Sequence, residues 1–131
     1  MRYLLDTNAC LDFLLARSDR LARRVEAAFG RLAISSITAA ELFVGNRSSS
    51  DAAGDARRID QFLAGVDVEP FELATAEVYG TIIRKAGMRR GSFDRLIAAQ
   101  AVALDCTLVT NDLAHFADIA GLRVENWTLP Q

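Results

Sequence analysis

The chain has 131 residues, the length of one ordinary domain, and 51% of them are apolar, enough for a hydrophobic core. This composition excludes an intrinsically disordered chain, and no apolar run reaches the roughly 18 residues that a membrane-spanning helix requires. Seventeen acidic and 15 basic residues give a net charge of −2, which argues against a protein that holds nucleic acid by its overall charge. We therefore predict a single domain over residues 1–131, without a membrane partner. It is expected in the cytoplasm because an acid, Asp6, interrupts the N-terminus before a signal-peptide core could form.

Short apolar runs alternate along the chain with segments whose apolar residues recur at helical spacing. The apolar runs predict strands at residues 2–5, 32–35, 68–71, 107–110 and 122–125. The periodic segments predict helices at about 7–16, 19–29, 38–45, 59–66, 74–87 and 92–104, and a short helix at 113–117. Strands that alternate with helices are typical of an α/β domain with a central, largely parallel β-sheet flanked by helices.

Capping residues mark where several of these helices begin. Asp6 follows the first strand directly and is a candidate cap for the first helix. Thr38 and Glu41, three residues apart, match the capping box and predict that a helix begins there. Ser92 is the expected cap of a later helix, whose inward face is predicted to include Phe93.

The soft metal ligands of the chain are few. Cys10, Cys106 and His115 make at most three of them, without the paired spacing of a structural zinc site. Both cysteines lie in apolar stretches, which is typical of buried free thiols. Any metal site is therefore expected to use oxygen ligands and to prefer a hard cation.

Four acids are expected along one edge of the sheet, where α/β domains bind their ligands. They are Asp6, Glu41, Asp94 and Asp112. Each is also explained by itself as a helix cap, but capping does not require four helix starts to share one edge. Two carboxylates about 4 Å apart repel by roughly 4 kcal/mol at an effective dielectric of about 20, so such a cluster favours a bound cation. Oxygen ligands indicate Mg²⁺ or Mn²⁺, which suit phosphodiester hydrolysis.

Basic residues are concentrated beside one of these acids. Five of the 15 lie between residues 84 and 95, and they are Arg84, Lys85, Arg89, Arg90 and Arg95. We interpret them as a group that binds nucleic-acid phosphates near the metal, and the alternative is a solvated helix face. A second basic group, within residues 17–24, is interpreted as ordinary surface.

Five segments, in order along nearly the whole chain, carry a resemblance to a known family. They are Leu5–Asn8, Ser36–Gly45, Gly91–Ala99, Leu108–Phe116 and Gly121–Trp127. In this order they resemble the PIN domain family, most closely the VapC-type ribonuclease toxins of bacterial toxin–antitoxin pairs. The resemblance implies one three-layer PIN domain and an Mg²⁺- or Mn²⁺-dependent endoribonuclease that cuts structured RNA such as tRNA or ribosomal RNA.

The resemblance also implies roles for individual residues. The acids with implied catalytic and metal-binding roles are Asp6, Glu41, Asp94 and Asp112. Asp6 and Asp94 would be direct ligands, while Glu41 would ligate the metal or position a water. The polar neighbours that would orient these carboxylates are Asn8, Thr110 and Asn111. The basic side chains that would hold RNA are Arg84, Arg89, Arg90 and Arg95.

Partners follow from the same resemblance. It implies a cognate VapB-type antitoxin that blocks the site. A homodimer of the chain and a hetero-oligomer with the antitoxin are also expected. The first helix agrees with this to a limited extent, since Leu11, Phe13, Leu14 and Leu15 are more apolar residues than one buried face uses. The surplus predicts either a partner surface or additional core.

Other functions are weighed against this interpretation. A phosphoacceptor receiver domain needs a lysine after a late strand, and the only lysine, Lys85, lies within a predicted helix. A phosphatase of the haloacid dehalogenase type needs an aspartate at the position of Asn8. A PIN-like module that binds RNA or protein without cleaving it stays open, as does a DNA-cleaving relative.

Overall fold

The computed structural model describes residues 1–45, 51–86 and 92–130. The strands, in chain order, are β1 (Tyr3–Leu5), β2 (Leu32–Ser35), β3 (Asp67–Glu69), β4 (Thr107–Val109) and β5 (Val124–Glu125). The helices are α1 (Thr7–Leu14), α2 (Asp19–Ala27), α3 (Ser36–Gly45), α4 (Ala52–Ala64), α5 (Leu73–Ala86) and α6 (Phe93–Ala103). A short 3₁₀ helix covers Leu113–Phe116.

The strands form one sheet in the order β3-β2-β1-β4-β5, and every described pair is parallel. β1 lies at the centre, with Tyr3 opposite Leu32 on one side and Thr107 on the other. Leu4 and Leu5 point to opposite faces of the sheet and both are fully buried. A strand that is covered on both faces in this way is continuously apolar in sequence. The parallel pairing confirms the predicted α/β class and parallel sheet.

Two hydrophobic clusters cover the two faces of the sheet. On one face, Leu5, Ile34 and Val109 pack against apolar residues of α1, α2, α3 and α4. On the other, Leu4 and Leu108 pack against α6, and α5 packs in turn against α6. The architecture is therefore three layers, helices over sheet over helices, as the resemblance implied. Among the described residues, no helix is long and apolar enough to cross a membrane.

The third helix begins earlier than its capping box predicted. α3 follows β2 without a loop, and Ser35 Oγ accepts a hydrogen bond from the amide of Ile37 at 3.1 Å. Thr38 is therefore inside the first turn, fully buried, and its hydroxyl faces the side chain of Thr7. The predicted start at Thr38 was wrong because a side chain of β2 itself satisfies the first free amide.

Two further expectations are corrected by the structure. β3 ends at Glu69, whereas a strand was predicted at 68–71, because Pro70 has no amide hydrogen for the ladder. Phe93 was expected to face the core and is 57% exposed. It occupies the first position of α6, and full burial begins one turn later at Ile97. The expected cap at Ser92 is confirmed, since its side chain accepts from the amide of Arg95.

Candidate active site

Asp6 lies at the point where β1 ends and α1 begins. Its amide donates to Val109 O at 3.0 Å, which extends the pairing of β1 with β4 by one residue. Its carboxylate accepts from the amide of Ala9 at 2.7 Å and so caps α1. With 3% of its surface exposed, Asp6 is a carboxylate held rigidly at the carboxyl edge of the sheet.

Burial raises the pKa of Asp6 to about 6. Hydrogen bonds from the Thr110 hydroxyl and the Ala9 amide stabilise the charged form and oppose this shift, while the negative charges of Asp94 and Asp12 add to it. The surroundings of Asp6 therefore disfavour its ionised form. Protonation or a nearby cation would stabilise the site.

Glu41 is placed by α3 next to the first turn of α1. The Thr7 hydroxyl donates to Glu41 Oε1 at 2.6 Å, and Thr7 Oγ1 also lies 3.1 Å from Thr38 Oγ1. Because Thr7 follows Asp6 in the chain, this contact ties the Glu41 carboxylate to the strand end that carries Asp6. Sequence reasoning did not identify Thr7, which gave no signal beyond its position between two candidate site residues.

Asp94 occupies the first turn of α6, where its charge interacts with that of Asp6. Its Oδ2 lies 3.6 Å from His115 Nε2, too far for a hydrogen bond but within the range of an ion pair. That nitrogen is buried and forms no hydrogen bond with any described residue. His115 is therefore a neighbour of the Asp94 carboxylate. Nothing in its sequence context indicated this position.

The segment after β4 joins the site through Thr110. Its hydroxyl accepts from the amide of Asp112 at 3.1 Å, and its side chain stabilises the charged form of Asp6. The Asp112 side chain is exposed and accepts from the amide of His115 at 3.2 Å, which caps the 3₁₀ helix. In this arrangement Asp112 acts as a cap, and the amide of its own backbone is linked to Asp6 through Thr110.

Asn8 and Asn111, the two asparagines expected to orient the carboxylates, have different surroundings. Asn8 is exposed in the first turn of α1. Asn111 donates from Nδ2 to Asp12 Oδ2 at 2.9 Å. Asp12 was missed by sequence reasoning, although an acid beside Leu11 and Phe13 in an apolar helix is the signal that could have found it.

The donor set fits a hard divalent cation bound with water. The side chains that approach the edge supply oxygen, and the buried charge of Asp6 lies within the field of Asp94. Within residues 1–45, 51–86 and 92–130, no three His, Cys, Asp or Glu side chains are arranged as a ready metal cage. Mg²⁺ is usually held by one or two carboxylates and by waters, so a pair such as Asp6 and Asp94 suits it.

The basic residues beside Asp94 are only partly described. Arg84 and Lys85 are exposed in the last turn of α5. Arg95 is mostly buried and bonds to Asp118 through two nitrogens at 3.2 and 3.3 Å, which lowers the pKa of Asp118. Arg89 and Arg90 lie outside the described residues.

An apolar groove of about 330 Å³ opens between α1, α4 and Phe29, which follows α2. Its lining residues are Phe13, Leu14, Phe29, Arg58, Gln61 and Phe62. Phe13 and Leu14 are partly buried in the core cluster, whereas Leu15 is 53% exposed. The apolar surplus of α1 is therefore divided between core and surface.

Comparison with known proteins gives a consistent result. Residues 3–122 match the PIN domain family. The chain is 35% identical to "Ribonuclease VapC2" of Rickettsia felis, over 97% of this chain and 98% of the relative. It is 30% identical to "tRNA(fMet)-specific endonuclease VapC" of Shigella flexneri, over 98% and 99%. The crystal structure of VapBC2 from Rickettsia felis bound to promoter DNA superposes with a TM-score of 0.86 at 32% identity, over 97% of this chain and 99% of that one.

Proposed function

The chain belongs to the PIN domain family, in its VapC branch, and from this membership we propose that it is an endoribonuclease toxin that hydrolyses RNA phosphodiester bonds and is neutralised by a cognate antitoxin. The observation that carries the proposal is the buried Asp6 carboxylate, whose ionisation is opposed by burial and by the charges of Asp94 and Asp12. Negative charges that lie close together at a strand end attract a divalent cation.

Asp6 and Asp94 would hold Mg²⁺ or Mn²⁺ as direct ligands. The bound ion would supply a polarised phosphoryl oxygen and an activated water. Glu41, oriented by the hydroxyl of Thr7, would bind the ion or accept a hydrogen bond from that water. Asp112 is proposed as the outermost acid of the group, since its carboxylate already caps the 3₁₀ helix.

The polar side chains around these acids are proposed to orient them. Thr110 is supported by its effect on Asp6, whose charged form it stabilises, and Asn111 by its place in the same segment. Asn8 is supported by its position in the first turn of α1, on the exposed side of the site. Such neighbours typically change metal affinity or activity by about 10- to 100-fold.

RNA is the proposed substrate because relatives over the full length of the chain are named as ribonucleases, one of them specific for a tRNA. The basic side chains proposed to hold its phosphates are Arg84, Arg89, Arg90 and Arg95. Of the two that the structure describes, Arg84 is favoured by its exposure, whereas the ion pair with Asp118 gives Arg95 a structural role as well. RNA as substrate also supports a cytoplasmic site of action.

The antitoxin is proposed to cover the apolar groove between α1, α4 and Phe29. Support comes from the Phe13, Leu14 and Phe29 side chains that line it, and from relatives whose structures are toxin–antitoxin complexes. A homodimer stays part of the proposal, and a monodisperse monomer in light scattering would contradict it. A single domain over residues 1–131 is supported by one sheet that joins both core clusters.

The proposed activity is tested by incubating purified protein with total RNA in Mg²⁺ or Mn²⁺. We expect cleavage that EDTA abolishes and that Asp94→Asn reduces by at least 100-fold. Asp60→Asn, an exposed acid of α4, is the matched control and should cleave like the wild type. Absence of metal-dependent cleavage would favour the binding module, and cleavage of single-stranded DNA in a parallel reaction would favour a DNA-cutting relative.

A further inference from the structure

Asp12 is a carboxylate in an apolar setting, with 8% of its surface exposed. It lies on α1 between the partly buried Leu11 and Phe13, both packed against the core. Burying an ionised carboxylate costs several kcal/mol unless hydrogen bonds or charges compensate it. The partners of Asp12 therefore indicate why an acid stands at this position.

Two side chains contact the Asp12 carboxylate. Arg17 Nη1 lies 3.4 Å from Oδ1, at the limit of a hydrogen bond, and the Arg17 side chain is 56% exposed. An exposed ion pair of this length contributes little to the stability of the protein. Asn111 Nδ2 donates to Oδ2 at 2.9 Å, which is the close contact. The better partner of Asp12 is thus the asparagine 99 positions later in the chain.

An ionised carboxylate can only accept hydrogen bonds. Asp12 therefore selects the nitrogen end of the Asn111 amide and sets which way that amide faces. Asn111 is also held from the other side, since its backbone oxygen accepts from Asn126 Nδ2 at 3.4 Å. The contact joins α1 to the segment that follows β4.

That segment carries two contacts of the proposed site. The Asp6 amide donates to Val109 O, directly before Thr110, at 3.0 Å, and the amide of Asp112 donates to Thr110 Oγ1 at 3.1 Å, while the Thr110 side chain stabilises the charged form of Asp6. Asn111 stands between them in the chain. A shift of its backbone would therefore move the hydroxyl that orients Asp6.

We propose that Asp12 is a positioning residue of the active site: by binding Asn111 it fixes the segment from Thr110 to Asp112, and through Thr110 it fixes the orientation of the Asp6 carboxylate. The importance of Asp6 rests on the proposed function, whereas the coupling of Asp12 to the segment does not. Asp12 itself needs no contact with metal or RNA for this role.

The test compares Asp12→Ala, Asn111→Ala and the double variant in Mn²⁺ binding by calorimetry and in RNA cleavage. Each single variant is expected to weaken Mn²⁺ binding or kcat about 10-fold with little change in KM, and the double variant to be no worse than either. Asp12→Asn keeps an acceptor oxygen for Asn111 and should restore most of the loss. Arg17→Ala is the matched control and should behave like the wild type.

A second measurement separates this proposal from the proposed function. In metal-free protein, Asp12→Ala should speed hydrogen exchange of the Asp112 amide at least 10-fold, while Asp12→Asn should not. If the wild type neither binds Mn²⁺ nor cleaves RNA, the proposed function fails and the exchange rates still decide the role of Asp12. Unchanged exchange in Asp12→Ala, or effects of the two single variants that multiply in the double variant, would overturn the coupling.

Discussion

The hydroxyl of Thr7 donates a 2.6 Å hydrogen bond to Oε1 of Glu41, across 34 positions of sequence. The bond joins the first turn of α1 to α3 at the carboxyl edge of the sheet. It leaves Glu41 with one defined orientation beside the strand end of Asp6. Thr7 thus orients Glu41 for its proposed role.

Removal of this bond is expected to reduce activity without unfolding the protein. Thr7→Ala should lower kcat about 10-fold, because Glu41 loses the donor that orients it, whereas Thr7→Ser should retain most activity. The measurement is single-turnover RNA cleavage at saturating Mn²⁺. Thr81→Ala removes an exposed threonine of α5 and should leave cleavage unchanged. Equal activity of Thr7→Ala and wild type would contradict the assignment.

The raised pKa of Asp6 predicts how stability depends on pH. The pKa of Asp6 is about 6 in the folded protein and has the ordinary value of 3.8 in the unfolded chain, so the folded protein binds the carboxyl proton more tightly. Stability from this group is therefore fully present below pH 3.8 and is lost as pH rises to about 6. The loss corresponds to about 3 kcal/mol.

Asp6→Asn isolates this effect because asparagine does not titrate and still caps a helix well. Without metal, we expect the variant to be more stable than the wild type at pH 7.5, and to lose that advantage near pH 4. Denaturant unfolding at several pH values measures the difference. Added Mn²⁺ should raise the melting temperature of the wild type much more than that of Asp6→Asn. If the free energies of unfolding of the two proteins change with pH in parallel, the raised pKa of Asp6 is refuted.

Gln100 connects α6 to the end of the edge strand β3. It is fully buried, and its Nε2 donates to Glu69 O at 3.0 Å and to Pro70 O at 3.2 Å. Gln100→Leu should lower the free energy of unfolding by about 1–3 kcal/mol, because both carbonyl oxygens lose their donor. Urea denaturation measures this, and Gln61→Leu, at an exposed position of α4, is the control. A loss as small as that of the control would show that water replaces the amide.

Exposure distinguishes two arginines beside Asp94 in RNA binding. In an Asp94→Asn background, chosen because we expect it to cleave RNA slowly, Arg84→Ala should weaken RNA binding and reduce the slope of log affinity against log salt by about one. Arg57→Ala, at an exposed position of α4, is the control. Arg95→Ala should instead lower stability, because Asp118 loses its partner. An unchanged salt slope in Arg84→Ala would remove that residue from the phosphate-binding group.

The α/β class and the parallel sheet were predictable from the sequence, and so was the edge that carries the candidate site. These follow from local rules: apolar runs covered on both faces form parallel strands, and residues after such strands meet at one edge. Asp6 could be placed at that edge for this reason, and Ser92 because it is a capping residue before a helix. The net charge of −2 says little about where the acids lie. The ordered motifs were sufficient to identify the family.

Which side chains contact the acids could not be predicted from local sequence. The pairs Thr7–Glu41, Asp94–His115 and Asp12–Asn111 join residues far apart in the chain, so no local pattern predicts them. The early start of α3 and the exposure of Phe93 likewise depend on what packs nearby. Helix and strand patterns report local geometry, whereas the orientation and ionisation of a carboxylate depend on burial and on neighbours that arrive only when the chain folds.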